Sequence, residues 1–234
     1  MIGKKRLLGL IVGRGGSKGL PQKNVLPLLG VPVVAWTVRE ALKSRYLDRV
    51  VISSDDDEII AAATAAGAEA PFQRPPELAR DDVTLAPVIL HALNALDEPY
   101  EYAVLLQASS PLRTAEDIDA GIEKVHASGA PSCLSVHETT APPFQTFTFD
   151  GKEHLKAVIG DTFQELRRQE MPTTYQLNGA VCVLNAEWFR ANQRFWSPET
   201  VGSVMPFERA IDIDTQTDYE LAQFYAERLN KRPS

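Results

Sequence analysis

The sequence predicts one α/β domain, in which a mainly parallel, doubly wound sheet carries helices on both faces. Three observations predict this fold class. Short apolar runs alternate with segments of helical spacing along most of the chain. The first run, Leu7–Val12, is unbroken, as is typical of a central parallel strand. The length of 234 residues, 44% of them hydrophobic, is sufficient for one domain with a substantial core.

The alternation defines six strands and five helices. The strands are short apolar runs bounded by turns, at Leu7–Val12, Arg49–Ile52, Tyr102–Leu106, Pro131–Val136, Gly179–Leu184 and Ile211–Ile213. The helices have apolar residues three and four positions apart, over Val33–Leu42, Glu58–Ala66, Leu85–Leu96, Thr114–Ala127 and Asp218–Leu229. Three helices follow a Ser or Thr with an acid three residues later, a capping signal, at Ser54/Asp57, Thr114/Asp117 and Thr215/Asp218.

The alternation is lost from about Thr139 to Tyr175. Prolines, aromatic residues and short polar stretches replace it. We therefore expect a single domain over residues 1–234, with an insert or arm at about 139–175.

Composition excludes several classes of protein. The formal net charge of −7 argues against nucleic-acid binding, because phosphate backbones need a basic surface. Cys133 and Cys182 lie in apolar, strand-like contexts, so we expect buried free thiols in a reducing compartment. The start has a basic head and an apolar run like a signal peptide, but the run is short and leads directly into Arg14-Gly-Gly-Ser-Lys18. No stretch approaches membrane-spanning length, and we expect a cytoplasmic protein without membrane contact.

The segment after the first strand, residues 13–24, is the richest in chemistry. It contains glycines together with three cations and two polar side chains, namely Arg14, Lys18, Lys23, Ser17 and Asn24. Ligands gather at the carboxyl ends of parallel strands, and glycines let backbone amides face an anion. The loop is not a Walker A motif, because Gly19 is followed by Leu20-Pro21, and it lacks the dinucleotide GxGxxG spacing. It suits a triphosphate, although a glycine-rich surface turn with solvated cations is the alternative.

Asp212 and Asp214 form an acidic pair within an apolar segment. If the segment is extended, both carboxylates share one face, while Ile211 and Ile213 share the other. Two converging carboxylates with phosphate oxygens suit Mg²⁺. The sequence alone leaves a solvent-facing edge equally open.

The other acidic and histidine residues are given no ligand role. The run Asp55–Glu58 opens a helix, where acids stabilise the dipole. Asp81 and Asp82 are interpreted as a solvated turn. The four histidines show no metal-ligand spacing.

Five motifs in order resemble the N-acylneuraminate cytidylyltransferases, also called CMP-sialic acid synthetases, and the two departures at Gln145 and Gln176 favour their legionaminic acid branch. The motifs are Arg14-Gly-Gly-Ser-Lys-Gly-Leu-Pro-Gln-Lys-Asn24, Arg74-Pro-Pro-Glu-Leu-Ala79, Leu105-Leu-Gln-Ala-Ser-Ser-Pro-Leu-Arg113, Asn178-Gly-Ala180 and Ile211-Asp-Ile-Asp-Thr215. They span nearly the whole chain. The resemblance implies a Rossmann-like nucleotidyltransferase fold, a homodimer with an exchanged arm, and attack by the anomeric hydroxyl of an acidic nine-carbon sugar on the α-phosphorus of CTP.

The resemblance also implies residue roles. Lys23, Asp214 and Arg14 would be catalytic, and the triphosphate would be held by Arg14, Ser17, Lys23 and Asn24, with Lys18 close by. Arg74 would read cytosine. Asp212 and Asp214 would bind Mg²⁺ or Mn²⁺, and Asp214 or metal-bound water would accept the proton. The sugar would contact Gln107, Ser109, Asn178, Phe195 and Trp196, and Arg168 would serve the neighbouring subunit's site.

Two positions depart from the family. N-acetylneuraminate enzymes carry a lysine and an arginine where this chain has Gln145 and Gln176. The open alternatives are a cytidylyltransferase for another acid, such as 3-deoxy-manno-octulosonate or a phosphonate, and a nucleotide-binding protein without catalysis.

Overall fold

A computed structural model describes the chain over residues 6–230. Residues 161 and 164 within that range, and the side chains of Arg168 and Asn230, lie outside the described residues. The strands are β1 (Arg6–Val12), β2 (Pro27–Leu28), β3 (Val31–Pro32), β4 (Arg49–Ser53), β5 (Tyr100–Gln107), β6 (Ser132–Glu138), β7 (Phe147–Phe149), β8 (Leu155–Ala157), β9 (Tyr175–Asn185) and β10 (Val201–Val204). The helices are α1 (Val33–Lys43), α2 (Asp57–Ala65), α3 (Leu85–Ala95), α4 (Ala115–Ser128), α5 (Ala186–Asn192) and α6 (Gln216–Asn230).

The main sheet has six strands in the order β10-β6-β9-β5-β1-β4. All run parallel except β9, which is antiparallel to both of its neighbours, β5 and β6. The predicted α/β class with a mainly parallel sheet is confirmed.

The β1 sequence is unbroken in apolar residues because each face of this strand supports a separate core. Leu7 and Ile11 pack in a cluster with residues of α1, α2 and α4. Leu8 and Leu10 pack on the other face with residues of α3 and α5. A strand buried on both faces has no side that faces solvent, so polar residues need not alternate with apolar ones. Because β1 is packed on both faces, it also holds the start of the following segment in place.

Two of the three predicted capping signals are confirmed. The Asp117 carboxylate accepts the Thr114 amide at 3.0 Å before α4, and Asp218 accepts the Thr215 amide at 2.8 Å before α6. The Ser54/Asp57 prediction is wrong. The cap of α2 is Asp56, whose carboxylate accepts the amides at 58 and 59, two and three residues into the turn.

The predicted strand at Ile211–Ile213 is also wrong. This segment is irregular, and the Ile213 amide donates to the Ser109 carbonyl, just beyond the end of β5, at 2.8 Å. Strand β5, which ends just before Ser109, already has β1 and β9 as its neighbours in the sheet. The sixth strand is instead β10, on the outer edge beside β6.

The segment between β6 and β9 contains the antiparallel hairpin β7–β8 and two short 3₁₀ turns. Its ends meet, because the Thr139 amide donates to the Thr174 carbonyl at 3.0 Å. Cys133 and Cys182 are buried free thiols, as predicted. Burial raises the pKa of Cys133 to about 11. Within the described part of the chain, no helix is long and apolar enough to cross a membrane.

Candidate active site

The loop of residues 13–24 lies at the carboxyl edge of the sheet. Its start is held between strand ends: the Gly13 amide donates to the Ser53 carbonyl at 3.3 Å, and the Ala108 amide to the Val12 carbonyl at 3.0 Å. A cavity of about 130 Å³ opens here, lined in part by Arg14, Lys23, Asn24, Arg74, Gln107 and Ser109. The structure thus brings together six residues that the sequence singled out.

Two glycines let this loop approach acidic segments closely. A Cβ atom at Gly19 would lie 2.4 Å from the carbonyl oxygen of Asp214, and one at Gly15 would lie 2.5 Å from the carboxylate of Asp56. Any side chain at Gly19 would push the loop away from the backbone of the acidic segment. Gly19 is therefore needed for close approach of the loop to the segment that carries Asp214.

Lys23 and Asp214 meet directly, although 191 residues separate them. The distance between Lys23 Nζ and Asp214 Oδ1 is 2.6 Å. The lysine side chain is 16% exposed and the aspartate side chain 70% exposed. A largely buried cation thus pairs with an exposed carboxylate.

Arg14 and Lys18 share a carboxylate to which the sequence analysis gave no contact. Asp81 lies on an exposed turn, as expected, and is 2.7 Å from Arg14 Nη2 and 2.5 Å from Lys18 Nζ. The hydrogen bond from Lys18 lowers the pKa of Asp81, and the charge of Arg14 lowers it further. Nothing local in the sequence signals this contact, which joins positions more than 60 residues apart.

Two polar side chains in the loop have unused hydrogen-bonding capacity. Asn24 is buried and donates its amide to the Arg14 carbonyl at 3.2 Å, but its Oδ1 has no partner among the described residues. The buried hydroxyl of Ser17 also lacks one there. Buried polar groups are rarely left unpaired, so both atoms are candidates for contact with water or a ligand.

Arg74 is buried at the side of the cavity and pairs with the end of β4. Its Nε donates to the Ser53 hydroxyl at 3.2 Å, and a second nitrogen donates to the Ser53 carbonyl. Burial lowers the pKa of Arg74 to about 10, against an opposing attraction from Asp55. The guanidinium therefore remains a cation at neutral pH.

Asp212 and Asp214 behave as the alternation predicted, even without a strand. Ile211 and Ile213 are buried, while Asp214 is exposed and Asp212 partly so. The Ser110 hydroxyl lies 3.3 Å from Asp212 Oδ1.

Arg113 lies beneath this segment and is only 1% exposed. It donates to the Gln107 carbonyl, and burial lowers its pKa to about 9, opposed chiefly by the charge of Asp212. The sequence analysis quoted Arg113 within a motif without giving it a role.

A bidentate ion pair fixes the turn that precedes the acidic segment. Arg209 Nε and Nη2 each lie 2.8 Å from an oxygen of the Asp117 carboxylate, in the first turn of α4. This is the geometry in which arginine binds a carboxylate most specifically. The turn before Asp212 is thus fixed to a core helix.

A second cavity, of about 270 Å³, lies beside the first and shares Leu85 and Gln107 with it. Its wall is largely apolar and includes Leu134, Leu177, Val181 and Phe195. The predicted sugar residues Gln107 and Phe195 line this space, and Ser109 lines the first cavity.

Two other residues predicted to contact the sugar, Asn178 and Trp196, line neither of these cavities. Asn178 is buried and turned inwards, where its Oδ1 accepts the Ser135 hydroxyl at 2.5 Å and its amide faces Met205 sulfur at 3.9 Å. Trp196, Gln145 and Gln176 are exposed and line neither cavity.

Comparison with known proteins decides the family. A family model described as Cytidylyltransferase matches residues 8–223, which is most of the chain. The chain belongs to the cytidylyltransferase family. It is therefore an enzyme of the nucleotidyltransferase class.

Several curated cytidylyltransferases resemble this one. A CMP-N,N'-diacetyllegionaminic acid synthase from Legionella pneumophila is 32% identical over 93% of this chain and 95% of its own length. A pseudaminic acid cytidylyltransferase from Campylobacter jejuni is 29% identical over 92% and 94%. An N-acylneuraminate cytidylyltransferase from Escherichia coli is 29% identical over 98% of this chain. This chain spans only about half of that protein, 54%.

Solved structures support the fold assignment. A CMP:2-keto-3-deoxy-manno-octonic acid synthetase complexed with CTP superposes with a TM-score of 0.72 at 15% identity, over 96% of this chain and 99% of the other. The 4-diphosphocytidyl-2C-methyl-D-erythritol synthase of Anaerococcus prevotii gives 0.64 at 13% identity, over 95% and 97%. At such identities the likeness establishes the shared fold.

The two carboxylates of the acidic segment fit a divalent metal only if other ligands complete its coordination. No group of three or more acidic, histidine or cysteine side chains able to hold an ion occurs among the described residues. Asp212 and Asp214 offer two carboxylates, and Mg²⁺ is often bound by one or two carboxylates plus phosphates and water. The donor set therefore fits an ion that arrives with a nucleotide.

Proposed function

We propose that this enzyme transfers CMP from CTP to the anomeric hydroxyl of a nonulosonic acid and releases pyrophosphate. The observation that carries the proposal is the contact of Lys23 with Asp214 at 2.6 Å, between a cation-rich loop and an acidic segment. That pairing suits a phosphate-transfer site, and an apolar cavity beside it suits an acylated sugar. Two relatives of matching length are named for legionaminic and pseudaminic acids.

In this proposal the loop holds the triphosphate by charge and hydrogen bonds. The groups concerned are Arg14, Ser17, Lys18, Lys23 and Asn24. The unpartnered hydroxyl of Ser17 supports this role, because a hydroxyl can donate to a phosphate oxygen. Arg74 reads cytosine, whose O2 and N3 accept hydrogen bonds, and its burial excludes competing water. Most of the rate enhancement then comes from positioning and electrostatic stabilisation.

Asp212 and Asp214 would hold Mg²⁺ or Mn²⁺. When bound, the ion neutralises charge on the α-phosphate and the departing pyrophosphate. Asp214 has a second task in this scheme, because its exposed carboxylate is a candidate acceptor for the hydroxyl proton of the sugar. Lys23 would turn from Asp214 to the phosphates.

The second cavity supports a sugar that carries acylamino groups. Gln107 offers an amide, while Leu134, Leu177 and Phe195 offer an apolar surface for acyl methyl groups. Gln145 and Gln176 line neither cavity, so the preference among sugars rests on this surface and on the resemblance. We propose a di-N-acylated sugar such as legionaminic acid as the preferred substrate.

A panel of acceptor sugars tests the function. With CTP and Mg²⁺ saturating, kcat/KM for pyrophosphate release is expected to be highest for N,N'-diacetyllegionaminic acid. N-acetylneuraminic acid should follow, because it offers one acylamino group to the apolar wall. The matched control is 3-deoxy-manno-octulosonate, which keeps the carboxylate and lacks acylamino groups. A tenfold or larger advantage for N-acetylneuraminic acid would contradict the substrate preference, and no release with any acid would contradict the function.

We further propose a homodimer, in which the arm at about 139–175 covers the partner. The hairpin β7–β8 exposes large apolar side chains, namely Phe147, Phe149 and Leu155, with Val158 just beyond. Two-stranded hairpins are marginal alone, and such apolar surface usually marks an interface. The resemblance places Arg168 of this arm at the neighbouring subunit's site.

Mixed dimers test the shared site. Arg168→Ala and Asp212→Asn chains are each expected to be inactive, and their heterodimer should recover activity because one complete site forms. Turnover is measured after mixing and re-association. The control mixes Arg168→Ala with the double variant Arg168→Ala/Asp212→Asn, which can form no complete site. Absence of recovery in verified heterodimers would show that each site is built within one chain.

A further inference from the structure

The Asp81 carboxylate bridges two cations, Arg14 and Lys18, of the loop of residues 13–24, which we call the nucleotide loop. It lies 2.7 Å from Arg14 Nη2 and 2.5 Å from Lys18 Nζ. The Arg14 guanidinium also donates to the Ala79 carbonyl at 3.4 Å, so the same turn holds it twice. The neighbouring residue, Asp82, is exposed and pairs with Arg80 at 3.2 Å.

The first cavity, of about 130 Å³, is called the nucleotide cavity. The chain segments on both sides of the Asp81 turn reach this cavity. Arg74, before it, lines that cavity, and Leu85, after it, lines both cavities. Residues 80–82 themselves are exposed, and the turn is closed by one backbone hydrogen bond, from Val83 to Arg80 at 3.2 Å. A carboxylate on an exposed turn can leave its partners with little loss of packing.

Arg14 and Lys18 share a single negative charge, that of the Asp81 carboxylate. A triphosphate carries more negative charge than one carboxylate. Phosphate oxygens also accept bidentate bonds from arginine. The carboxylate and the phosphates cannot both occupy the space in front of these cations without strong repulsion between like charges.

We propose that Asp81 is an internal counter-anion of the nucleotide loop, displaced by the phosphates of the nucleotide, and that it thereby sets the affinity and selectivity for polyphosphates. The inference rests on the proposed role of Arg14 and Lys18 as phosphate ligands. A ligand with several phosphate charges displaces the carboxylate, whereas a weaker anion such as orthophosphate competes poorly. The same carboxylate favours release of pyrophosphate, because it recaptures both cations.

Calorimetric binding to the full-length protein tests this proposal. The probes are CTP, inorganic pyrophosphate, orthophosphate and cytidine, and the proteins are wild type, Asp81→Asn and Asp82→Asn. Each substitution removes one negative charge from the same turn, so any general effect of net charge on anion binding appears in both variants. Thermal unfolding midpoints close to that of the wild type check that all three are folded.

Removal of the counter-anion is expected to tighten binding of CTP and pyrophosphate by roughly three- to tenfold in Asp81→Asn relative to Asp82→Asn, the scale of exposed ion pairs. Orthophosphate should gain detectable affinity, and cytidine, which has no phosphate, should bind all three proteins equally. Equal CTP binding by the two variants would overturn the proposal, as would weaker binding by Asp81→Asn, which would make Asp81 an orienting group. Failure of wild type and both variants alike to bind CTP would overturn the proposed function as well.

Discussion

Lys23→Ala is expected to lower kcat/KM for pyrophosphate release roughly 30- to 1,000-fold, while the protein stays folded. Loss of one preorganised donor to developing charge costs about 2–4 kcal/mol of transition-state stabilisation, and each 1.36 kcal/mol is about tenfold in rate. Lys23 is suited to this role because it is largely buried in the nucleotide cavity and meets the acidic segment. The measurement is steady-state kinetics with CTP and the preferred sugar, together with thermal unfolding.

Lys43→Ala is the matched control for this variant. Lys43 also makes a 2.6 Å ion pair with a carboxylate, that of Glu40, but on an exposed face of α1. Its removal deletes a lysine charge and an ion pair of equal length without touching the nucleotide cavity. Turnover of Lys23→Ala within a few-fold of Lys43→Ala would exclude Lys23 from the mechanism.

Asp212→Asn and Asp214→Asn should each abolish most turnover, by roughly a hundredfold or more, because each removes a charged oxygen ligand at the point where pyrophosphate charge develops. Asparagine keeps the size of the side chain, so folding should be retained. The two variants need not be equal. Asp212 is held by Ser110 near the buried Arg113, whereas Asp214 is exposed and pairs with Lys23.

Metal titrations separate a binding defect from a proton-transfer defect. For Asp212→Asn, more Mg²⁺ should recover part of the activity, because one carboxylate remains. For Asp214→Asn, recovery should be smaller if this carboxylate also accepts the proton. Asp82→Asn, which loses an acidic charge on the nearby exposed turn, is the control. Full wild-type activity in excess EDTA would sink the metal assignment.

The sequence predicted the sheet and the loop well because both depend on local patterns. The apolar run of β1 and the glycines and cations after it are contiguous, and strand ends locate a site without knowledge of side-chain contacts. The alternation of Ile211 and Ile213 with Asp212 and Asp214 gave the correct faces. It gave the wrong element, because whether an extended segment joins a sheet depends on which strand edges remain free.

The missed features have weak or non-local signals. Helix α5 has seven residues, too few for a clear period, although Asn185 caps it through a 2.9 Å bond from the Trp188 amide. Strand β10 contains Gly202 and Ser203, which dilute its apolar character. The contacts of Asp81 with Arg14 and of Arg209 with Asp117 join distant positions, so only the fold reveals them.

The reversed direction of β9 has a consequence for how this enzyme can diversify. Glu138, at the end of β6, pairs with Tyr175, at the start of β9, so the chain leaves and re-enters the sheet at adjacent points on one rim. Residues 139–174 therefore form a loop whose two ends are held together by the sheet. The entropic cost of closing such a loop rises only slowly with its length. Insertions, deletions or exchanges there can alter this segment while the strand register of β6 and β9 is preserved. A single antiparallel strand thus lets this segment change without disturbing the folding unit of the main sheet.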